Sequence, residues 1–180
     1  NNDGDIGKRE WEYERERVIK KAYYGNAEDP MPDTSGIYGM KTDYFDDTNS
    51  KIITFLDKNL ERTSNIHGVS QEEYFYDAND SLLKVLYYDI HNTLCKNENG
   101  VYGKEINQEE NKCITTYLSA KGKAMSNDDG IAIVEEQYDE EGRFLQKLYR
   151  NEHGIIVEDA YGDCMTFYEY DDSNNITRCY

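Results

Sequence analysis

Three histidines, four cysteines, a series of acidic turns and a run of tyrosines are the residues of this 180-residue chain that could do chemistry. Histidine is the side chain whose ordinary titration falls near neutral pH, and it is a common metal ligand. His91 and His153 each lie three residues past a strand end, at Tyr88 and Arg150, in matching places of one repeated pattern. They are therefore read as part of a repeat rather than as catalytic or metal-binding groups. Cys95, Cys113, Cys164 and Cys179 permit three disulfide pairings, and none shows the Cys-x-x-Cys spacing of zinc or thioredoxin-like sites. Cys113 occupies the strand place that Leu83 and Leu145 hold in other copies and is read as a small buried hydrophobe. Cys164 and Cys179 are the best pair, should a disulfide form.

Three acidic turns could offer oxygens to calcium: Asp46, Asp47 and Asn49; Asp77, Asn79 and Asp80; Asp171, Asp172 and Asn174. Calcium takes six or more oxygens, and one short turn supplies few. Asp and Asn side chains also bond back to their own backbone and tolerate left-handed geometry, so the hairpin-turn reading is preferred. No nucleophile elbow, phosphate loop, zinc motif or dinucleotide fingerprint occurs. The chain is expected to be no enzyme, with no catalytic residues, metal or cofactor assigned. The tyrosines Tyr23-Tyr24, Tyr87-Tyr88 and Tyr149 recur in register. Adjacent strand residues face opposite sides, so one ring of each pair packs inward and the other points out. Tyr24, Tyr88 and Tyr149 are the candidate ligand-binding rings, set against plain packing between repeats.

The elements that must position these groups come from the repeat. Glycines fall at Gly4, Gly36, Gly68, Gly100, Gly130 and Gly162, in steps of 32, 32, 32, 30 and 32. The residue before the acidic turn is read as Tyr13, Phe45, Tyr76, Ile106, Tyr138 and Tyr170. The end of the second strand is read as Tyr24, Leu56, Tyr88, Ser119 and Arg150. Three landmarks that keep one order and one period define a repeat architecture. The fold class expected is all-β: a solenoid-like tandem β-hairpin repeat of about five and a half units, with a period of about 31–32 residues. The units run at approximately 8–40, 41–70, 71–103, 104–133 and 134–166, with a partial unit at 167–180, in one repeat domain. Each unit reads as a hairpin, a third short strand such as the one at Ile155 and Ile156, and a glycine loop, with room for a short helical turn. Asn2-Asp3-Gly4-Asp5-Ile6 matches Asp128-Asp129-Gly130-Ile131, and Tyr180 falls part-way through a unit, so the chain is expected to be a segment of a longer one. A native closing half-unit is the alternative for its end.

Composition limits the partners. Hydrophobic residues make up 37%, a thin core that 17 Tyr, 5 Phe and 1 Trp supplement with rings that bury area and keep a polar tip. The net charge is −17, from 37 acidic and 20 basic residues, a field that repels phosphate backbones and anionic membranes. Nucleic acid is excluded as a partner. The longest apolar run is of the kind Ile131-Ala132-Ile133-Val134, far short of a membrane span, so no insertion is expected. A protein or glycan partner is left.

Tyr138-Asp139-Glu140-Glu141-Gly142, Tyr170-Asp171-Asp172-Ser173-Asn174, Tyr76-Asp77-Ala78-Asn79-Asp80 and the pair Tyr87-Tyr88 resemble the YD-x-x-G turn of bacterial YD-repeat (RHS-like) surface proteins. They are similar, more loosely, to other tyrosine-rich hairpin repeats of secreted bacterial proteins. The resemblance implies an extracellular or cell-surface location and a non-catalytic binding or display scaffold. The period here is longer than in YD-repeats, and most of their turn glycines are absent. Choline- and glucan-binding repeats also carry Tyr-Tyr-Phe-Asp hairpins, which implies a carbohydrate- or cell-wall-binding module as the second possibility.

Overall fold

The computed structural model describes residues 6–171 and 173–179. It is all-β, and no helix occurs among the described residues, so none is long and apolar enough to cross a membrane. The chain forms two compact units, Asn1–Glu98 and Asn99–Tyr180. The first contains β1 (Lys8–Glu14), β2 (Arg17–Tyr24), β3 (Gly39–Phe45), β4 (Ser50–Leu56), β5 (Gln71–Tyr76) and β6 (Leu82–Tyr88). The second contains β7 (Gly103–Glu109), β8 (Lys112–Leu118), β9 (Ile133–Tyr138), β10 (Phe144–Arg150), β11 (Met165–Tyr170) and β12 (Ile176–Cys179). Within each unit every strand pairs antiparallel with its neighbours in chain order. The tandem hairpin repeat expected from the sequence is the architecture.

One turn builds most of it. At no fewer than ten places among the described residues an Asp or Asn opens a five-residue loop, and its Oδ1 accepts the N–H groups of the third and fifth residues at 2.8–3.3 Å. The openers are Asp33, Asp57, Asn65, Asp77, Asp89, Asn127, Asp139, Asn151, Asp159 and Asp171. The fourth residue takes positive φ, as at Gly68 (84°) and Asn92 (61°). This is a type I turn followed by a left-handed residue, the usual three-residue hairpin closure. It serves hairpin tips, the loop after the second strand and the glycine loop alike.

After four of the loop glycines the next residue is a core residue, whereas Asp163 after Gly162 is exposed. Ile37, Val69, Val101 and Ile131 are 1–5% exposed. A register of rings one residue before each second-strand end runs Tyr23, Phe55, Tyr87, Tyr117 and Tyr149. The first three are buried and the last two half-buried.

Four readings change. The third strand is only a single bridge pair per unit: Tyr24–Pro30, Leu56–Arg62, Tyr88–Leu94, Leu118–Ala124 and Arg150–Ile156. Ile155 and Ile156 are exposed, because one bridge cannot press them onto the sheet. Ile106 lies inside β7; the residue before that turn is Glu109, since the register of Gly103 with Leu118 matches that of Gly39 with Leu56. For the same reason Leu118, not Ser119, ends the second strand there. Cys164 is a free, exposed thiol and so forms no bridge to Cys179, whose side chain lies outside the described residues, as do Gly4, Asp172 and Tyr180. Cys113 is half-buried and free.

Hairpins also come in two kinds. The β1–β2, β5–β6 and β9–β10 pairs carry a register shift near the tip, whereas β3–β4 and β7–β8 pair without one. The unshifted kind is announced by Gly36-Ile37-Tyr38-Gly39 and Gly100-Val101-Tyr102-Gly103, 64 residues apart.

Candidate functional site

The three candidate tyrosines do not share one surface position. Tyr24 ends β2 and Tyr88 ends β6, so they hold equivalent places, with Leu56, Leu118 and Arg150 at the corresponding places elsewhere. Tyr149 is one residue short of its strand end and joins the register of Tyr23 and Tyr87, on the other face. All three candidates are half-buried. The Tyr88 hydroxyl donates to Glu73 Oε2 at 2.7 Å; burial, then that carboxylate, push its pKa well above the ordinary 10.0. Tyr24 is raised too, first by burial and then by the Glu10 charge. The ammonium of Lys147 lies 5.4 Å from the Tyr149 ring centre. That face repeats the arrangement. Lys21 sits 4.9 Å from the Trp11 ring and 4.7 Å from Tyr23, and Lys51 sits 5.0 Å from Tyr74 and 5.3 Å from Tyr76. Cation–π contacts thus already occupy these rings.

Several groups of the acidic turns are engaged in the fold. Asp77 and Asp171 each use Oδ1 for two backbone N–H groups. Asp46 Oδ1 accepts Arg17 Nη1 at 2.6 Å, and Asn49 Nδ2 donates to the Asp77 carbonyl. Among the described residues no group of three or more His, Cys, Asp or Glu is placed to hold a metal ion. His67, His91 and His153 all stand third in the five-residue loop, each giving its N–H to the opening Asn or Asp. His67 Nε2 also approaches Glu98 Oε2 at 3.7 Å.

A feature the sequence reading missed lies on the opposite face of the first unit. A groove of about 880 Å3 runs across β1 to β4 and reaches Leu60 of the 57–61 loop. Its apolar and aromatic lining is Ile19, Tyr44, Phe45, Leu56 and Leu60, with the Arg17 guanidinium 4.9 Å from the Tyr44 ring. Phe45 and Leu60 remain 40% and 39% exposed. Its charged lining carries both signs: Glu12, Glu14, Asp43 and Asp46 against Arg15, Arg17, Lys20 and Lys41. Register places these groups. Glu12 pairs with Lys20, Lys20 with Lys41, and Lys41 with Thr54, making one row across four strands. Like charges directly opposite cost stability, and Lys20 beside Lys41 is such a pair. Lys41 Nζ is drawn to Asp43 Oδ1 at 2.7 Å. A smaller recess adjoins along Glu10, Trp11, Lys20, Ala22 and Tyr24, and Leu60 lines both.

Leu60 has φ +62°. A bulky residue in the left-handed region is an outlier that the surrounding structure must hold in place. The equivalent positions elsewhere are Glu28, Asn92, Gly122 and Gly154. The only sequence signal was the absence of Gly or Asn at the fourth place of Asp57-Lys58-Asn59-Leu60-Glu61.

No protein-family model matches the chain, and no curated protein matches it.

Proposed function

We propose that this chain is a non-catalytic binding or display scaffold of a secreted or cell-surface bacterial protein, of the YD-repeat-like kind that its tyrosine–aspartate turns resemble. The observation that carries the reading is the ten-fold use of one Asx-closed loop. Asp77 and Asp171, which could have served chemistry, hold backbone amides instead, and a net charge of −17 favours solubility. Surface labelling of intact source cells, followed by detection of this chain, tests the reading. Labelling before lysis supports it; recovery solely from the cytosol, unlabelled, overturns it.

A second reading is a carbohydrate- or cell-wall-binding module. It is favoured by the groove on β1 to β4, which combines exposed apolar side chains with donors and acceptors. A glycan array probed with the protein tests it, together with the Tyr24→Ala and Tyr88→Ala variants; absence of any glycan signal leaves the display scaffold alone.

A further inference from the structure

We infer that the groove across β1 to β4 is a binding site for a neutral oligosaccharide, with Phe45 as the stacking surface, Leu60 as an apolar wall, and Glu12, Lys20, Lys41 and Asp43 as hydrogen-bonding partners of its hydroxyls. This rests on the second reading above and centres the site on Phe45 rather than on Tyr24, Tyr88 or Tyr149.

The chemistry of the lining selects the occupant. A strongly anionic ligand meets Glu12, Glu14, Asp43 and Asp46, and a strongly cationic one meets Arg15, Arg17, Lys20 and Lys41. A wholly apolar ligand would desolvate both sets with no compensating hydrogen bonds, which is costly. A pyranose chain offers what remains: apolar C–H faces for Phe45 and Leu60, and hydroxyls that both donate to carboxylates and accept from ammonium groups. The groove also lies within the range of about 300–1,000 Å3 usual for small-ligand clefts.

Two departures from the repeat coincide here and point the same way. Leu60 keeps a left-handed backbone where Asn92, Gly122 and Gly154 hold three of the four equivalent positions and Glu28 the other, and its side chain lines the groove. Lys20 and Lys41 stand directly opposite one another, with Glu12 beyond Lys20 and Asp43 paired to Lys41, a row of alternating donors and acceptors that a sugar hydroxyl matches on both counts. On the other face Trp11, Tyr23, Tyr74 and Tyr76 already hold lysines, whereas in this groove exposed apolar surface lies beside charged groups of both signs.

Calorimetric titration of the full chain with malto-, cello- and xylohexaose tests the inference, with oligogalacturonate and a chitosan hexamer as charged probes. A neutral hexaose is expected to bind, with affinity falling about tenfold in Phe45→Ala, falling also in Lys20→Gln and Leu60→Gly, and unchanged in Tyr88→Ala. Thermal melts of each variant separate lost binding from lost folding, and Leu60→Gly is expected to melt higher while binding more weakly. Binding of the charged probes alone overturns the neutral class. Neutral-glycan binding retained in Phe45→Ala and lost in Tyr88→Ala overturns the groove and keeps the carbohydrate reading. No saccharide binding of any kind removes both.

Discussion

The 57–61 and 151–155 loops occupy the same place in their repeats and close with the same bonds. In each the first side chain accepts two amides, and the fourth N–H returns to the first carbonyl at 3.0 or 2.9 Å. Their fourth residues differ: Gly154 at φ +76° and Leu60 at φ +62°. The opening Asx and the backbone ladder therefore set the turn, and the fourth residue only has to tolerate it. Where the chain puts leucine there, it gives up conformational ease to gain a side chain beside a groove.

Acid makes the largest break in this comparison, because it separates loops opened by Asp from those opened by Asn. The Thr93 and His91 amides hold Asp89 below its ordinary 3.8. The Asp163 and Tyr161 amides do the same for Asp159, and the Asn175 side chain and amide for Asp171. A depressed native pKa contributes stability that is fully present above the unfolded value and disappears as pH falls through the native one. Stability should accordingly hold from neutral pH to about 5 and decline below about 4. Hydrogen exchange at Thr93, in an Asp loop, should accelerate relative to Ile155, in an Asn loop; equal loss at both amides would contradict the assignment.

Substitution makes the next break. Leucine placed at Gly154 has open space around its Cβ, so its cost is the backbone term alone, about 1–2 kcal/mol. Asn151→Ala removes the acceptor of two amides and should cost about 1 kcal/mol. Chemical denaturation checks both. The smallest effect is the reverse exchange: Leu60→Gly should gain less than about 1 kcal/mol, because relief of the left-handed backbone is partly offset by a freer unfolded chain. A loss of stability in this variant would mean that Leu60 is held for packing.

Much of the fold was legible because its signals are local. A glycine every 30–32 residues marks a positive φ, and Tyr76-Asp77 or Tyr138-Asp139 marks a hairpin tip. The errors have physical causes too. Ile106 was misplaced because the tip after β7 lacks the tyrosine–aspartate signal and only strand pairing fixes its register. The third strand was overcalled because Ile155-Ile156-Val157 is as apolar as a strand, yet a single bridge leaves it at the surface. The groove could not be read at all. It depends on Lys20 lying opposite Lys41, on the register shift after Glu12 and on the backbone of Leu60, none of which has a sequence motif.

Pairing only between neighbours in chain order has a consequence for how the molecule is made. Each hairpin within a unit can dock as soon as it leaves a ribosome or threads a pore, without waiting for distant residues, and low contact order of this kind favours rapid folding. Under tension from one end the same layout should yield in hairpin-sized steps, a sawtooth rather than one rupture.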